Sequence, residues 1–559
     1  MKNIKIITSE YRIYQKEGRI FNARFVSFVN YFLRLHFDNK SLDKSKYNWL
    51  QPEILAIGPE PGEGVTTEFL DEFCSNIEKQ KVDVLGVSVY VWNKIQFKLV
   101  CQEVKKRFPH IVIIAGGPEL DAHKNPNFFK DNWFYDYVVY GDGERAFTTL
   151  LDHLSGQNTE LVNVVSSDGT VYPHQVFTDK ELMKGSPYLT YKDEIKEVVQ
   201  SYRSMIIKKY KRIEHLIAIW ETTKGCPYTC SFCDWSSGLH NKVRFWGNKK
   251  EPFINDKPNY AKELDLFTDI GFHSIQWSNP NVGLSPQDSE IVDYWCKLKK
   301  ENPATPQSFV LQLSKIKKEL THQLYKKMIT HGLEKRLKFD VQDLDPKVIQ
   351  NLARPEIPWS EHKVMIREFI DEFPAIAGDF RSKINFIWGL PGQTLSHFDF
   401  NLTEATQLGM YSNFFYFELL PNSPAGQLDY IEKFELKHEP IYVTHLQLPV
   451  DLKHITKDIL NEYFTETNLV TSTYSMSRKD WFVGIAKSYI YKRHFFTTMN
   501  RSVDRFVLNF SKYQTVIDQM YDMFQENRAI AIQPEHLLET SLYHEIRNSI
   551  DKITQEIYS

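Results

Sequence analysis

Strand-like and helix-like segments alternate along two stretches of this sequence, and this alternation limits the fold more than any other feature. The first stretch contains strand-like runs at 82–90, 111–115 and 136–140, with helical spacing of apolar residues at 95–107. The alternation resumes at Leu216 and continues to about residue 430. Strands joined by helices pair in parallel, so we predict an α/β protein whose N-terminal domain is a doubly wound, Rossmann-like sheet.

The composition is that of a soluble globular protein, with 559 residues and a net charge of −3. A nearly neutral chain gives no reason to expect nucleic acid or an acidic membrane surface as a partner. Six cysteines in so long a chain do not form a disulfide framework, which favours a reducing compartment. The first residues lack the apolar length of a signal peptide, and no run approaches about 18 consecutive apolar residues. We therefore expect a cytoplasmic, multidomain enzyme without a membrane span.

Cys226, Cys230 and Cys233 stand at C-x3-C-x2-C spacing, directly after the strand-like run 216–220. Three thiolates on one loop can bind three irons of a [4Fe–4S] cluster and leave the fourth iron free for a small molecule. A structural zinc ion would need a fourth ligand, and neither His240 nor Asp234 stands at a familiar spacing. The loop therefore predicts an iron–sulfur cluster.

This cysteine loop resembles the signature of the radical SAM enzymes, whose free iron binds the amino and carboxylate groups of S-adenosylmethionine (SAM). The resemblance implies a partial (β/α)6 barrel with its site at the carboxyl ends of the strands. The Gln342-Asp343 pair and the Gly-Leu-Pro-Gly-Gln-Thr turn that begins at Gly389 resemble later strand ends of the same enzymes. The SAM-binding residues that this resemblance implies are Phe232, Ser278, Asn279, Gln342, Ile387 and Gly389.

The glycine-rich strand ends of the first domain resemble the cobalamin-binding domain that precedes the barrel in one large radical SAM class. The resemblance implies that the corrin ring or its nucleotide tail contacts Ser88, Tyr90, Trp92, Asn93, Gly116, Gly117, Gly141, Gly143 and Glu144. Alternatively, these glycines merely terminate strands. A cobalt-binding histidine would come from a D-x-H-x-x-G loop, but here Asp121-Ala122-His123 comes later and Pro126 replaces the glycine. We therefore expect His123 to be an exposed loop residue and not a cobalt ligand.

We divide the chain into a cobalamin-binding domain at 1–152, a linker at 153–210, the barrel at 211–430 and a mainly helical, substrate-related region at 431–559. The linker contains a predicted hairpin around Asp168-Gly169. In the last region an aromatic stripe is interpreted as core and not as a substrate pocket; its members are Trp481, Tyr489, Tyr491, His494 and Phe495.

Together these resemblances imply a cobalamin-dependent radical SAM methyltransferase. The cluster would cleave SAM to methionine and a 5′-deoxyadenosyl radical, and cobalamin would supply a methyl group to an unactivated carbon. The alternatives are a non-methylating radical SAM rearrangement or oxidation, and a non-enzymatic cobalamin or iron–sulfur sensor. We expect flavodoxin or ferredoxin as electron donor and a small molecule or peptide as substrate; the sequence identifies no acid–base catalytic side chain.

Overall fold

The computed structural model describes residues 1–558 except 10, 14–22, 56–64, 177–184, 212–214, 237–243, 246–257, 315–317, 377–381, 444–464, 499–509 and 527–540. The elements of the first part of the chain are β1 (Lys2–Ser9), β2 (Tyr11–Ile13), β3 (Ala23–Val26), α1 (Val29–Lys40), β4 (Tyr47–Trp49), β5 (Glu53–Leu55), α2 (Thr67–Lys79), β6 (Val82–Ser88), α3 (Lys94–Arg107), β7 (Val112–Gly116), α4 (Phe128–Asp131), β8 (Tyr137–Val139), α5 (Gly143–Leu154), β9 (Val164–Ser166), α6 (Pro187–Thr190) and α7 (Lys192–Tyr210).

The second part of the chain again alternates strands with helices and ends in three helices. Its elements are β10 (His215–Trp220), β11 (Thr223–Lys224), β12 (Arg244–Phe245), α8 (Asn259–Ile270), β13 (Ser274–Val282), α9 (Pro286–Glu301), β14 (Gln307–Leu313), α10 (Lys318–Thr330), β15 (Lys338–Gln342), α11 (Pro346–Asn351), α12 (Trp359–Glu372), β16 (Lys383–Trp388), α13 (Leu395–Gln407), β17 (Tyr411–Tyr416), α14 (Leu428–Lys433), β18 (Lys437–Val443), β19 (Thr465–Ser472), α15 (Arg478–Thr498), α16 (Gln514–Glu526) and α17 (Ser541–Tyr558).

The first sheet has the strand order β4-β1-β6-β7-β8-β9, with β5 also paired to β1. All its pairs are parallel except β8 with β9. Successive residues of β7 pack on opposite faces, because side chains alternate along a strand: Ile113 lies in one core with α2 and α3, and Ile114 in another with α1 and α5. Helices on both faces make this the doubly wound sheet that the sequence predicts.

The described parts of the segment 153–210, which was predicted to be a linker, contain regular secondary structure. Strand β9 extends the first sheet, and its predicted turn forms, with the Asp168 carboxylate accepting the Thr170 N–H at 2.9 Å and Gly169 at φ +87°. Helix α7 buries an apolar stripe that includes Ile195 and Val199. The predicted hairpin is therefore confirmed. The charged sequence of α7 did not indicate that the helix buries an apolar face.

A second sheet has the order β14-β13-β10-β3-β2. Strands β3, β10, β13 and β14 are parallel, and β2 is an antiparallel edge. Strands β2 and β3 come from the range assigned to the first domain, so this range contributes to both sheets. The domain boundaries at 152, 210 and 430 stay predictions.

A third sheet, β15-β16-β17, is also parallel. The six strands expected of the barrel thus occur as β10, β13 and β14 in the second sheet and as β15, β16 and β17 in the third. The last strand covers Tyr411–Tyr416 and not the predicted 414–420, because the chain leaves the sheet before the proline-rich exit.

The C-terminal region contains the antiparallel β18–β19 pair and helices α15–α17. The Ser477 hydroxyl accepts the Asp480 N–H at 3.1 Å and donates to its carboxylate at 2.7 Å, which confirms the predicted helix start. Trp481, Tyr491 and His494 are wholly buried, as the core interpretation of the aromatic stripe requires. A helix expected at 455–464 lies outside the described residues, and of the one expected at 503–524 the structure describes only the part from 510, which contains α16.

The chain forms two compact units, one made of Met1–Pro227, Asp234–Ser314 and Thr330–Glu334, and the other of Tyr228–Cys233, Lys315–Ile329 and Lys335–Ser559. Among the described residues, no helix is both long and apolar enough to cross a membrane.

Candidate functional site

The stem of the cysteine loop is held by the neighbouring strand β13. The Asn279 side chain, only 1% exposed, accepts the N–H groups of Thr222 and Thr223 at 3.0 Å each and donates to the Thr222 hydroxyl at 2.6 Å. The Trp277 indole donates to the same hydroxyl at 3.0 Å. The carboxyl ends of two parallel strands are thereby tied together at the point where the loop begins.

The side chains of Ser278 and Asn279, which were predicted to bind SAM, both bind groups of the chain itself. The Ser278 hydroxyl donates to the Trp220 carbonyl at 3.0 Å, and the Asn279 amide is engaged by the loop stem. Both side chains are polar because they satisfy the backbone and hydroxyl groups where β10 ends, a role that the sequence pattern does not distinguish from ligand binding.

Cys226 is 5% exposed, and its sulfur accepts a hydrogen bond from the side-chain amide of Asn281 at 3.1 Å. Hydrogen bonds to cysteine sulfur stabilise the negative charge of a thiolate and of a cluster bound to it. The contact of Asn281 with this cysteine could not be predicted from the spacing of residues in the sequence.

The other two cysteines of the loop belong to the second unit, where the backbone between them is fixed. Ser231 donates its N–H to the Leu352 carbonyl at 2.8 Å, and its own carbonyl accepts the N–H of Ala425 at 2.9 Å. Cys230 is buried and Cys233 is partly exposed. The loop is therefore anchored on a main-chain frame that does not use the thiols.

No two of the six cysteines form a disulfide, and within the described ranges no three His, Cys, Asp or Glu side chains converge as the ligands of one metal ion would. A structural zinc ion requires such convergence, whereas the thiolates of a [4Fe–4S] cluster bind separate irons. Asp234 thus joins no single-ion site, and His240 lies outside the described residues. The donor set fits a cluster better than zinc.

Phe232 and Ile387 are partly buried against the same hydrophobic core, and the Arg354 guanidinium lies 5.9 Å above the Phe232 ring. Arg354 is 6% exposed and donates to the Glu356 carboxylate at 2.6 Å; Glu356 also contacts His362 at 3.0 Å. The sequence did not single out this buried Arg–Glu–His group, because its members become neighbours only after the chain turns into α12.

Gln342, at the carboxyl end of β15, carries two signs of a ligand-binding residue. Its backbone has φ +68°, an uncommon conformation for a non-glycine residue, and it is 7% exposed. Its side-chain oxygen is buried with no hydrogen-bond partner in the described part of the chain. Buried polar atoms are nearly always paired, so an orphaned amide oxygen at a strand end favours a ligand there.

The neighbouring Asp343 has a structural role. Its carboxylate accepts hydrogen bonds from Gln393 at 2.7 Å and Asn401 at 2.8 Å, and burial raises its pKa despite these donors. Gln393 also closes the Gly-Leu-Pro-Gly-Gln-Thr turn, because its oxygen accepts the N–H of Gly389 at 2.9 Å. Gly389 has φ +107°, and a Cβ there would lie 3.2 Å from the Val470 carbonyl.

At the carboxyl ends of β7 and β8, the backbone conformation requires glycine at two positions. Gly117 has φ +123°, and a Cβ would lie 2.1 Å from the Val89 carbonyl oxygen. Gly141 has φ +67°, whereas Gly116 and Gly143 have ordinary φ and space for a methyl group, with nearest atoms at 3.6 and 3.5 Å. The positive φ of Gly117 and Gly141 explains why glycine stands at these two strand ends.

The loop after Ser88 is organised by Asn93, which is 1% exposed. Its amide donates to the Ser9 hydroxyl at 2.8 Å and the Ser88 carbonyl at 3.1 Å, and its oxygen accepts the Tyr90 N–H at 2.7 Å. Both polar atoms of the Asn93 side chain thus have partners within the chain, and its contact with the corrin stays a prediction. Tyr90 and Trp92 stack at 4.6 Å with a 4° interplanar angle, and burial raises the Tyr90 pKa.

His123 is not the exposed loop residue that the sequence suggested. Its ring stacks on Tyr140 at 4.4 Å and 5°, and both ring nitrogens are shielded without a hydrogen-bond partner among the residues described. Burial, with smaller effects of Lys124 and His174, lowers the His123 pKa to about 4. The imidazole is therefore neutral near pH 7.

Glu144 forms an ion pair that the sequence did not predict. Its carboxylate binds the ammonium group of Lys224, two residues before Cys226, and Asp142 lies 3.8 Å from the same ammonium. Burial lowers the Lys224 pKa, but Glu144, Glu221 and Asp142 outweigh it and raise this pKa overall. One Glu144 oxygen is thus engaged by Lys224, and the other is buried with no partner among the described atoms; the contact of Glu144 with cobalamin stays a prediction.

Comparison with known proteins identifies a family for the part of the chain that contains β6, β7 and β8. Residues 59–151 match the family model of the B12 binding domain. This range contains the glycine-rich strand ends at 116–117 and 141–144, so the predicted cobalamin-binding domain is confirmed.

The chain is similar to two curated methyltransferases over much of its length. It is 26% identical over 379 residues to the cobalamin-dependent radical SAM methyltransferase TokK of Streptomyces tokunonensis, which covers 66% of this chain and 52% of that protein. It is 24% identical over 415 residues to the 2-(S-pantetheinyl)-carbapenam-3-carboxylate methyltransferase of Streptantibioticus cattleyicolor, covering 71% of this chain and 55% of that protein. The matches therefore span about half the length of these relatives, and they confirm the resemblance to cobalamin-binding radical SAM enzymes.

The fold is similar to that of the cobalamin-dependent S-adenosylmethionine radical enzyme OxsB, solved with aqua-cobalamin bound. The TM-score is 0.53 at 13% identity, covering 100% of this chain and 81% of that chain. At this identity the likeness concerns the fold, and it confirms the predicted α/β architecture.

Proposed function

Because a B12 binding domain and a radical SAM cysteine loop occur in one chain, we propose that this protein is a cobalamin-dependent radical SAM methyltransferase acting on an unactivated carbon. The single observation that carries the proposal is the C-x3-C-x2-C loop at the end of β10, in a chain whose residues 59–151 match the cobalamin-binding family. The similarity to two methyltransferases supports methyl transfer over other radical chemistry.

The three loop cysteines, Cys226, Cys230 and Cys233, are the proposed cluster ligands. When bound, the cluster supplies the electron that cleaves SAM to methionine and a 5′-deoxyadenosyl radical, and cobalamin supplies the methyl group. Asn281 stabilises charge on the Cys226 sulfur by hydrogen bonding. Asn279 and Ser278 hold the stem of the loop and are proposed as supports and not as SAM contacts.

For SAM, we propose Phe232, Ile387 and Gly389 as contacts for the adenosyl group and Gln342 as the polar contact. The orphaned oxygen of Gln342 supports this choice, since an N–H or O–H donor of a ligand would satisfy it. The unusual φ of Gln342 holds the amide in one position before the ligand arrives.

For cobalamin, the proposed contacts are the main chain at Gly117 and Gly141, flanked by Ser88, Gly116 and Gly143. The stacked pair Tyr90–Trp92 is the proposed aromatic surface under the corrin, while Asn93 fixes the loop that presents it. We assign no cobalt ligand.

The proposal is tested by anaerobic reconstitution with iron, sulfide and hydroxocobalamin, followed by SAM carrying a CD3 group and a reductant. Small carboxylic acids linked to pantetheine, the substrate type in one relative's name, form the first substrate panel. Methyl transfer predicts a product carrying CD3 in place of hydrogen, with 5′-deoxyadenosine and S-adenosylhomocysteine in equal amounts, since one SAM is cleaved and a second supplies the methyl group. Substrate-dependent 5′-deoxyadenosine without S-adenosylhomocysteine would instead indicate a rearrangement or oxidation.

A low-potential electron donor such as flavodoxin or ferredoxin belongs to the same proposal, because SAM cleavage consumes an electron that the chain does not itself supply. The proposed cluster and the six cysteines, which form no disulfide with one another, favour a reducing compartment such as the cytoplasm.

A further inference from the structure

We propose that Asn281 is a positioning residue that sets the reduction potential of the iron–sulfur cluster through its hydrogen bond to the Cys226 sulfur. The inference rests on the proposed function, because it assumes that Cys226 binds a cluster. It goes beyond the proposed function in two respects. Asn281 lies on β13 and not on the cysteine loop, and its effect on the reduction potential of the cluster can be measured.

The strand geometry places Asn281 beside the loop. Strand β13 runs to Val282, five residues beyond the end at Trp277 that its apolar run predicts. Side chains two apart lie on the same face of a strand, so Asn279 and Asn281 both face the loop. Asn279 binds the stem at Thr222 and Thr223, and Asn281 binds the first cysteine.

The backbone on both sides of Asn281 is fixed, which makes its hydrogen bond a permanent feature of the fold. Ser314 donates its N–H to the Val282 carbonyl at 2.7 Å, and Leu284 donates to the carbonyl of Asn281 itself at 3.2 Å. The Asp288 carboxylate accepts the Gly283 N–H at 2.8 Å. With 6% of its surface exposed, Asn281 makes its contact with sulfur away from water, where a hydrogen bond has its largest electrostatic effect.

The sign of the effect follows from charge. Reduction of the cluster adds one electron, part of which resides on the thiolate sulfurs, so an N–H donor stabilises the reduced form more than the oxidised form. Loss of the donor must therefore lower the reduction potential. At a fixed donor potential below saturation, we expect the ratio of reduced to oxidised cluster to fall about tenfold, which for one electron equals about 59 mV.

The experiment is a redox titration of the reconstituted protein, followed by electron paramagnetic resonance of the reduced cluster. Asn281→Leu removes the donor at similar volume. Asn281→Asp keeps the shape and replaces the donor with an acceptor, so it tests the claim if the leucine variant does not fold. Asn48→Asp is the matched control, since this exposed amide donates only to Asn3 at 3.0 Å.

We expect both Asn281 variants to retain iron and sulfide but to titrate at a lower potential than wild type, with the aspartate variant lowest and Asn48→Asp unchanged. An intact cluster with an unchanged potential in both Asn281 variants would overturn the inference alone. Absence of any cluster in the wild-type protein would overturn the inference together with the proposed function.

Discussion

The buried ion pair of Glu144 and Lys224 predicts an asymmetric loss of stability. In Glu144→Ala, the Lys224 ammonium group still has the Asp142 carboxylate at 3.8 Å as a partner. Opposite charges at this distance attract by about 4 kcal/mol at an effective dielectric constant of 20. In Lys224→Met, two nearly buried carboxylates, Glu144 and Asp142, lose their shared cation and face each other. Removing one partner of a buried pair costs about 3–5 kcal/mol, so we expect that cost for Lys224→Met and about 2 kcal/mol for Glu144→Ala.

Calorimetric unfolding of the cofactor-free protein measures this asymmetry as a shift in unfolding temperature. At about 2 °C per kcal/mol for a large domain, Lys224→Met should lower the transition by about 6–10 °C and Glu144→Ala by about 4 °C. The double variant Glu144→Leu/Lys224→Met should be more stable than Lys224→Met alone, because it removes an unpaired buried charge. Additive losses in the double variant, or a larger loss for Glu144→Ala than for Lys224→Met, would refute the account of this pair.

Three further predictions concern single residues. Gly117→Ala should lower the unfolding temperature and the amount of bound cobalamin, because its Cβ would overlap the Val89 carbonyl. Gly116→Ala should unfold near the wild-type temperature, because its Cβ would lie 3.6 Å from the nearest atom. Equal stability of the two variants would contradict the backbone argument. Gln342→Leu should weaken SAM binding about tenfold in equilibrium dialysis, since it removes the unpaired acceptor, and an unchanged dissociation constant would exclude this contact. Burial lowers the His494 pKa to about 4, against about 6.5 in the unfolded chain. The contribution of neutral His494 to stability is therefore complete above pH 6.5 and falls by about 3 kcal/mol as the pH drops to 4. Unfolding scans should show a weaker pH dependence of stability in His494→Gln, and an identical pH dependence would contradict the assignment.

The parallel strands of the first and third sheets were largely predictable because their residues are buried on both faces. Runs such as Val82–Ser88 and Lys383–Trp388 carry enough β-branched and apolar side chains to be recognised without knowledge of their partners. The pairing of β3 with β10 could not be predicted in the same way, since Ala23 and His215 lie almost two hundred residues apart and no local signal joins them.

Polar residues at strand ends show the limit of sequence reasoning about the site. Asn279, Asn281 and Gln342 have the same local signature, a polar amide after an apolar strand, yet the structure gives them three different environments. The first holds backbone, the second contacts a cysteine sulfur, and the third has an orphaned oxygen. Which of these applies depends on the neighbouring strand, so resemblance to family motifs identifies the position but not the partner.

The ion pair of Glu144 was missed and the environment of His123 was misjudged for the same physical reason. The sequence shows a glutamate after a glycine turn and a histidine in a loop, and both types are usually exposed. Lys224 covers the first and Tyr140 stacks on the second, and these contacts arise only when separate segments meet at the edge of the first sheet.

The most direct test of the central claim is the yield of 5′-deoxyadenosine from protein reconstituted with iron, sulfide and hydroxocobalamin, measured together with the cobalamin that remains bound after gel filtration. The account predicts SAM cleavage with stoichiometric cobalamin in wild type and in Cys296→Ala, a buried cysteine outside the loop, and no cleavage in Cys226→Ala. Cobalamin retention should be the same in all three proteins. An intact cluster that leaves SAM uncleaved, or cleavage that persists in Cys226→Ala, would contradict the account.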